Sequence, residues 1–264
     1  MDREAGSGSL LTRVDVLGVE VSAIDLPEAV VRIGSWIRSG DRQYVCVTGV
    51  HGVIEAQRDP SLKEIHNRAG MVTPDGMPLV WCGRWAGVTD IDRVYGPDLM
   101  VAVMAASTDQ GWRHYFYGAG PGIAEQLAER LSLRFPGLKV AGTHTPPFRE
   151  LTDGECSAIA DEINSSGADI VWVGLSTPKQ ERWMARMRPL LTVPVLIGVG
   201  AAFDMHAGNL RQAPRWMQRS GLEWLYRLSR EPRRLWRRYA VIIPSFLFSI
   251  ARRRPVIVTE VRVG

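Results

Sequence analysis

Short apolar runs alternate with segments of helical periodicity along most of this chain. Five of the runs predict strands: Gln43 to Thr48, Tyr115 to Tyr117, Lys139 to Gly142, Ile170 to Gly174 and Val195 to Gly200. The segments between them place apolar residues at helical spacing. Strands and helices in alternation indicate an α/β fold with a mostly parallel, doubly wound sheet and flanking helices.

The two ends of the chain differ from this pattern. Residues 13–24 alternate around Gly18 as a short hairpin does, and Asp25 is positioned to cap a helix that runs to Arg38. From residue 213 onward, aromatic residues, leucines and arginines recur at helical spacing, with breaks expected at Pro232 and Pro244. We therefore expect a disordered tail (1–12), an α/β core (13–212) and a basic helical appendage (213–264).

Composition and charge indicate which partners and which cellular location to expect for this chain. The chain has 264 residues, 45% of them hydrophobic, and a net charge of +4, with its arginines concentrated in residues 211–254. A basic end of this kind predicts an anionic partner. Residues 1–9 lack the pattern of a signal peptide, and the apolar stretch 240–251 is shorter than the ~20 residues that cross a bilayer. We expect a cytoplasmic protein with reduced, buried cysteines.

Polar residues follow the predicted strands, where ligands bind in open α/β sheets. Thr48 ends one strand, and Asp75 lies at a tight turn before a helix that begins at Met77. Asp75 is a candidate general base. Both residues are also well suited to cap the helices that follow them, and the pattern alone leaves that alternative open.

Three further loops contain residues that are suited to bind a nucleotide. Gly118 and Gly120 lie between a strand and a helix, where backbone N–H groups can receive a diphosphate. They resemble a dinucleotide fingerprint only loosely because its third glycine is replaced by Ile123, which makes an NAD-dependent enzyme a weaker alternative. Gln180 and Glu181 open another helix, and Asp204 is suited to a ribose hydroxyl, although a simple loop would also explain it.

Metal and nucleic-acid sites have weaker support. Asp90 and Asp92 have the spacing of a metal-binding carboxylate pair, but no clear strand precedes them, and the five histidines are scattered. We predict no metal and no cofactor. The appendage arginines could bind phosphates, an anionic membrane or a nucleic acid, or form a solvated helical face, but no nucleic-acid-binding motif accompanies them.

Six motifs, in this order and spacing, resemble the WecG/TagA/CpsF glycosyltransferases across residues 14–239. They are TPDGMP (73–78), RVYGPDL (93–99), YGAGPG (117–122), PKQE (178–181), GVGAAFD (198–204) and GLEWLYRL (221–228). The resemblance implies a Rossmann-like core, a UDP-sugar donor that is a substrate, metal-independent inversion at the anomeric carbon, and an undecaprenyl-diphosphate-linked acceptor. The products of such enzymes are cell-surface polysaccharides or wall polymers.

The resemblance also implies roles for individual residues. Asp75 matches the catalytic base, and Thr48 matches a residue that positions the sugar. Arg93 and Gln180 would contact the donor, and Asp204 would contact its ribose. The full set of expected site residues is Asp75 and Thr48 (catalytic), Arg93, Gly118, Gly120, Gln180, Glu181 and Asp204 (donor), and Arg227, Arg234 and Arg237 (acceptor diphosphate).

Two departures from the family pattern bear on sugar and base contacts. Many members have an asparagine shortly after the position of Thr48, where this chain has Gly49-Val50, and a Gly-Tyr pair where it has Pro146-Pro147. A nucleotide-sugar-binding or scaffolding protein without turnover is therefore the alternative, although Asp75 is present. The appendage implies peripheral attachment to an anionic membrane at its inner face, and the family resemblance also allows a homo-oligomer.

Overall fold

The fold was described from a computed structural model of the chain. The structure describes residues 11–261, and the side chains of residues 11–258. The predicted tail (1–12) lies outside the described residues except for Leu11 and Thr12, which already belong to the first strand. Leu11 is buried, and its position pairs with that of Val261.

Nine strands lie within the described residues. They are β1 (Leu11–Val16), β2 (Val19–Ser22), β3 (Gln43–Thr48), β4 (Met71–Pro74), β5 (Arg113–Gly118), β6 (Lys139–His144), β7 (Ile170–Gly174), β8 (Val195–Gly198) and β9 (Val256–Val261). Six of them form one sheet in the order β4-β3-β8-β7-β5-β6, and three form a second sheet in the order β2-β1-β9.

Twelve helices complete the described chain. They are α1 (Leu26–Ser39), α2 (Val50–Arg58), α3 (Pro60–Arg68), α4 (Met77–Trp85), α5 (Gly96–Gln110), α6 (Ile123–Arg134), α7 (Asp153–Ser166), α8 (Lys179–Met187), α9 (Ala202–Ala207), α10 (Arg215–Arg219), α11 (Glu223–Arg230) and α12 (Pro232–Arg252).

The six-stranded sheet confirms the predicted α/β, Rossmann-like fold. Strands β3, β8, β7, β5 and β6 run parallel, and helices connect them along the chain. The side chains of the inner strands β3, β8 and β7 are mostly apolar and buried on both faces, as in a sheet covered by helices, whereas the edge strand β6 is partly exposed. The predicted strand at 195–200 ends earlier, at Gly198, because Gly200 turns into the left-handed region with φ of 51°.

The described chain divides into two compact units. Within the described residues, unit 1 comprises 11–25, 48–94 and 213–261, and unit 2 comprises 26–47 and 95–212. Unit 1 therefore combines both ends of the described chain with a middle segment. Unit 2 contains β5 to β8 and the helices that connect them.

The predicted hairpin of unit 1 is confirmed, and it is extended by an unpredicted strand. Strands β1 and β2 pair around Leu17 and Gly18, whose φ angles of 57° and 88° suit a tight hairpin turn. The other edge of β1 pairs antiparallel with β9, and Arg253 contacts Asp15 at 2.6 Å beside it. The predicted helical appendage is therefore not wholly helical, since β9 belongs to this sheet.

Of the two helix breaks predicted at prolines in the appendage, one is observed. Pro232 begins α12 and separates it from α11, as expected. Pro244 lies within α12, so the break predicted there is wrong. Ile242, Phe246 and Ile250 are buried on one side of this helix, and that packing keeps it continuous across the proline.

Candidate functional site

Thr48 and Asp75 lie side by side in unit 1. Thr48 is the last residue of β3, Asp75 directly follows β4, and the backbone N–H of Asp75 donates to the carbonyl of Thr48 over 3.0 Å. A Cβ at Gly49 would lie 3.7 Å from the Asp75 Oδ2 atom. The structure therefore brings the two predicted catalytic residues together at the ends of neighbouring strands.

Neither residue occupies the capping position of the helix that follows it. That position is Gly49 in α2 and Gly76 in α4, and a glycine has no side chain to make a capping hydrogen bond. The alternative in which Thr48 and Asp75 are the N-cap residues is therefore wrong. The Thr48 hydroxyl is buried, with no hydrogen-bond partner among the described residues. Such an atom is well suited to bind a ligand, because buried polar groups without a partner are rare.

Arg93 holds the turn that carries Asp75. Its Nε donates to the Asp75 carbonyl (2.8 Å), its Nη1 to Gln218 Oε1 (2.7 Å) and its Nη2 to Glu223 Oε2 (2.5 Å). The side chain is only 9% exposed. Arg93 thus joins the Asp75 backbone to the appendage within unit 1, and its predicted contact with a donor stays a prediction.

A pocket of about 450 Å³ opens beside Asp75 within unit 1. Its lining combines polar side chains with tryptophans and aliphatic residues. The polar ones include His51, Asp75, Arg93, Gln218, Glu223, Arg227 and Tyr239. Its volume lies in the range of about 300–1,000 Å³ that small-molecule sites occupy.

His51 is a residue of this pocket that the sequence analysis left out of the site. The Nη2 atom of Arg238 lies 2.5 Å from its Nδ1 and 2.6 Å from its Nε2. Burial, followed by the charge of Arg238, lowers the pKa of His51 to about 4. The imidazole is therefore neutral near pH 7. Its position three residues after Thr48, at the start of α2, was the signal in the sequence.

The motif at 221–228 forms one wall of the pocket. Gly221 has φ of 71°, and a Cβ there would lie 2.6 Å from the ring of Trp81. Glycine is required by both the backbone conformation and the space. The turn brings Glu223 to Arg93 and leaves Arg227 on the pocket wall.

The three predicted acceptor arginines do not all lie at this pocket. Arg227 lines it. Arg234 is exposed and its Nε contacts Glu231 at 2.5 Å, while the guanidinium of Arg237 lies 5.4 Å from the ring of Trp236. Neither Arg234 nor Arg237 is among the residues that line the pocket, so their acceptor roles stay predictions.

The glycine-rich loops of unit 2 meet at the carboxyl ends of β5, β7 and β8. Gly118 has φ of 121°, and a Cβ there would lie 2.9 Å from the carbonyl of Gly174. The N–H of Ala119 donates to that carbonyl over 2.9 Å, and the N–H of Gly200 donates to Val173 over 3.3 Å. Gly120 follows on the same loop. This is the edge where parallel sheets bind ligands.

Gln180 and Glu181 are buried near these loops. Glu181 Oε1 accepts hydrogen bonds from Thr177 (2.8 Å) and from the Gln180 amide (3.2 Å). The Gln180 Oε1 and Glu181 Oε2 atoms are buried and have no partner among the described residues. A Cβ at Gly200 would lie 3.4 Å from that Gln180 oxygen. Two acceptors without partners can receive N–H or O–H groups of a ligand.

Asp204 lies in the first turn of α9, just after β8. Burial raises the pKa of its carboxyl group above the ordinary value. Phe203, the preceding residue, packs beneath Gly174, where a Cβ would lie 2.7 Å from its ring. Asp204 therefore lies after the carboxyl end of β8, at the same edge of the sheet as the glycine loops. Its contact with a ribose stays a prediction.

An aromatic stack beside β5 and β6 was missed by the sequence analysis. The ring of Tyr117 lies between those of His144 and Trp183, at centroid distances of 5.4 and 4.1 Å. Glu162 contacts His144 at 3.0 Å and accepts a hydrogen bond from Tyr115. These residues are far apart in sequence, so only the fold brings them together.

The described residues contain no group of three or more His, Cys, Asp or Glu side chains that could hold a metal ion. Asp90 contacts Thr89, and Asp92 accepts a hydrogen bond from the backbone N–H of Arg93.

No helix within residues 11–261 has both the length and the apolar character to span a bilayer.

Comparison with known proteins adds to this geometry. The model of the glycosyl transferase WecG/TagA/CpsF family matches residues 14–257. An N-acetylglucosaminyldiphosphoundecaprenol N-acetyl-beta-D-mannosaminyltransferase of Bacillus spizizenii is 31% identical over 198 residues, 75% of this chain and 74% of its own. The Bacillus subtilis protein of the same name is 28% identical over 197 residues, with the same coverage. This chain belongs to the WecG/TagA/CpsF family of glycosyltransferases.

Proposed function

We propose that this chain transfers a hexose or N-acetylhexosamine from a UDP donor to an undecaprenyl-diphosphate-linked saccharide, with inversion at the anomeric carbon. The observation that supports it most is the position of Asp75. It directly follows β4, its backbone N–H donates to the carbonyl of Thr48, and its side chain lines a pocket with Arg227. The two relatives, by name, act on an acceptor of this class.

Asp75 is suited to act as the base in this reaction. As an acceptor hydroxyl oxygen forms its bond to the anomeric carbon, the carboxylate takes the hydroxyl proton. The bond from the anomeric carbon to the UDP oxygen breaks, and UDP leaves with the electron pair. A single displacement of this kind inverts the configuration and needs one carboxylate. We assign to Thr48, whose hydroxyl is buried, the role of holding a hydroxyl of the transferred sugar.

The strand ends of unit 2 are suited to the nucleotide. Backbone N–H groups of the loop that contains Gly118 and Gly120 can receive the diphosphate, and α6 begins directly after this loop. The acceptor oxygens of Gln180 and Glu181 can receive N–H or O–H groups, and Asp204 can bind ribose hydroxyls. We assign the donor to these residues and require no metal.

The acceptor is assigned to the pocket of unit 1. Arg227 lines the polar part of it, and a guanidinium is well suited to a diphosphate. A lipid-linked acceptor also requires the protein to work at a membrane. The exposed apolar residues and the arginines of α12 fit peripheral attachment to an anionic surface on the cytoplasmic side.

The proposal is tested by incubating the purified chain with an N-acetylglucosaminyl-diphosphate-lipid acceptor and a panel of UDP-hexoses and UDP-N-acetylhexosamines. We expect release of UDP together with a disaccharide-linked lipid, for one or a few donors, with EDTA present. GDP-linked sugars are the control and should give no product. Binding of UDP-sugars without turnover would instead support a nucleotide-sugar-binding protein.

A further inference from the structure

The pocket of unit 1 is mostly apolar where α4 and α12 line it. Helix α4 contributes Trp81 and Trp85, which are 47% and 52% exposed. Helix α12 contributes Ile243 and Leu247, one turn apart, and the more deeply buried residues on the same side. These are Ile242, Phe246 and Ile250.

These side chains form a concave apolar wall that is open to a ligand. Leu247 is 59% exposed although it lines the pocket. Exposure of large apolar side chains to water is unfavourable. A ligand that covers them removes this apolar surface from water and so gains binding free energy. This part of the pocket therefore suits an apolar ligand.

The same pocket is polar where Asp75 and Arg227 line it. One continuous lining thus combines a carboxylate and a guanidinium with two tryptophans and an aliphatic helix face. A ligand that matches it has a polar, anionic part joined to a hydrocarbon chain. About 450 Å³ accommodates a short piece of such a chain and not a whole polyprenyl lipid.

We propose that this apolar wall binds the first isoprenoid units of the acceptor, so that the enzyme recognises the lipid as well as the saccharide and diphosphate. The inference rests on the proposed function, because it identifies the acceptor with the ligand of this pocket. It assigns Ile243, Leu247, Trp81 and Trp85 to the lipid. The rest of the lipid would extend away from the protein.

Direct binding tests this inference without turnover. We compare farnesyl diphosphate, below its micelle concentration, with inorganic diphosphate by calorimetry on the full chain. The isoprenoid should bind at least about tenfold more tightly, since a factor of ten corresponds to about 1.4 kcal/mol. Leu247→Ser and Ile243→Ser should each weaken farnesyl diphosphate about threefold or more and leave inorganic diphosphate unchanged.

Val241→Ser is the matched control, because Val241 is 47% exposed on the same helix and does not line the pocket. It should bind farnesyl diphosphate as the wild type does. Equal affinities of the wild type for the two diphosphates would overturn the inference. So would equal losses in Val241→Ser and Leu247→Ser.

Transfer assays separate this inference from the proposed function. Soluble acceptors that carry N-acetylglucosaminyl diphosphate on a farnesyl or a methyl group are compared at fixed donor. We expect a KM at least about tenfold lower for the farnesyl acceptor, and Leu247→Ser should remove most of that difference. Turnover with equal KM values would reject the lipid site alone. Isoprenoid binding without any turnover would reject the proposed function and leave the binding site.

Discussion

Arg93 connects three parts of unit 1 through one guanidinium. Its partners are the Asp75 carbonyl, Gln218 and Glu223, and the last two are 125 and 130 residues away in the chain. Because the donor atoms are used within the protein, the arginine is placed to fix the orientation of the turn before α4. A positioning role affects the rate of transfer more than the affinity for a donor.

We expect Arg93→Lys to lower kcat about tenfold or more while the KM for the donor changes less than about twofold, because lysine cannot reproduce the three directed hydrogen bonds. Steady-state kinetics with varied donor checks this. Arg84→Lys is the control, since Arg84 is half-exposed and lies 3.9 Å from Asp92. A raised donor KM with unchanged kcat would instead show that Arg93 binds the donor.

His51 makes the stability of unit 1 depend on pH. Its pKa is about 4 in the folded chain, below the ordinary value of 6.5, because of burial and Arg238. The unfolded chain therefore binds a proton at a higher pH than the folded chain does. The stability that neutral His51 contributes is complete above pH 6.5 and is lost as the pH falls toward 4.

His51→Gln cannot take up this proton. We expect its free energy of unfolding to fall less than that of the wild type between about pH 7.5 and pH 5, by up to about 2 kcal/mol. Urea unfolding at the two pH values measures the difference. Parallel losses in both proteins would show that His51 does not titrate in this way.

At the scale of elements, the turn between α10 and α11 depends on Gly221. The left-handed backbone opposes a side chain there, and so does the Trp81 ring, which would lie 2.6 Å from a Cβ. Gly221→Ala should lower the free energy of unfolding by at least about 2 kcal/mol, from backbone strain and overpacking together.

Gly87→Ala separates the two causes. Gly87 also belongs to unit 1 and has φ of 99°, but nothing lies within 4 Å of a Cβ there. The Gly87→Ala substitution should lower the free energy of unfolding by about 1 kcal/mol, from backbone strain alone. Denaturant unfolding of both variants tests this, and equal losses would contradict the packing argument for Gly221.

The sequence predicts elements well where the signal is local. The apolar runs at Gln43–Thr48 and Ile170–Gly174 match the observed strands, since buried parallel strands have such runs. Strand β9 is an exception: residues Val256–Val261 are rich in β-branched side chains, but the helical spacing of the preceding segment was extended over them. Pro244 was misjudged because the burial of Phe246 depends on packing that the local pattern does not contain.

In the candidate site, too, the sequence predicts residues that have a local signal but not contacts between distant residues. Asp75 and the glycine loops could be located from strand ends and motifs. The partners of Arg93, the contact of Arg238 with His51 and the stack around Tyr117 could not, because each joins residues from distant parts of the chain.

At the scale of the whole molecule, α12 is the element best suited to meet a membrane. Val241 and Phe248, two turns apart, are 47% and 58% exposed, and the Arg252 guanidinium lies 4.0 Å from the Phe248 ring. Apolar side chains with neighbouring arginines are typical of helices that lie at an anionic lipid surface.

We expect the wild type to sediment with vesicles that contain anionic lipid, less at high salt, and the double variant Val241→Ser with Phe248→Ser to lose about tenfold in partition. Leu133→Ser is the control, because Leu133 is 77% exposed on α6 of unit 2. If the double variant and the control sediment equally, α12 does not bind the membrane through this face.

The chemistry assigned to Asp75 is the central claim, and Asp75→Asn tests it most directly because the amide keeps the shape and cannot take a proton. Asp92→Asn, which removes an exposed carboxylate of the same unit, is the control. The measurement is kcat for sugar transfer, together with the affinity for the donor. We predict that kcat of Asp75→Asn falls at least about 100-fold with donor affinity unchanged. Transfer at the wild-type rate would contradict the account.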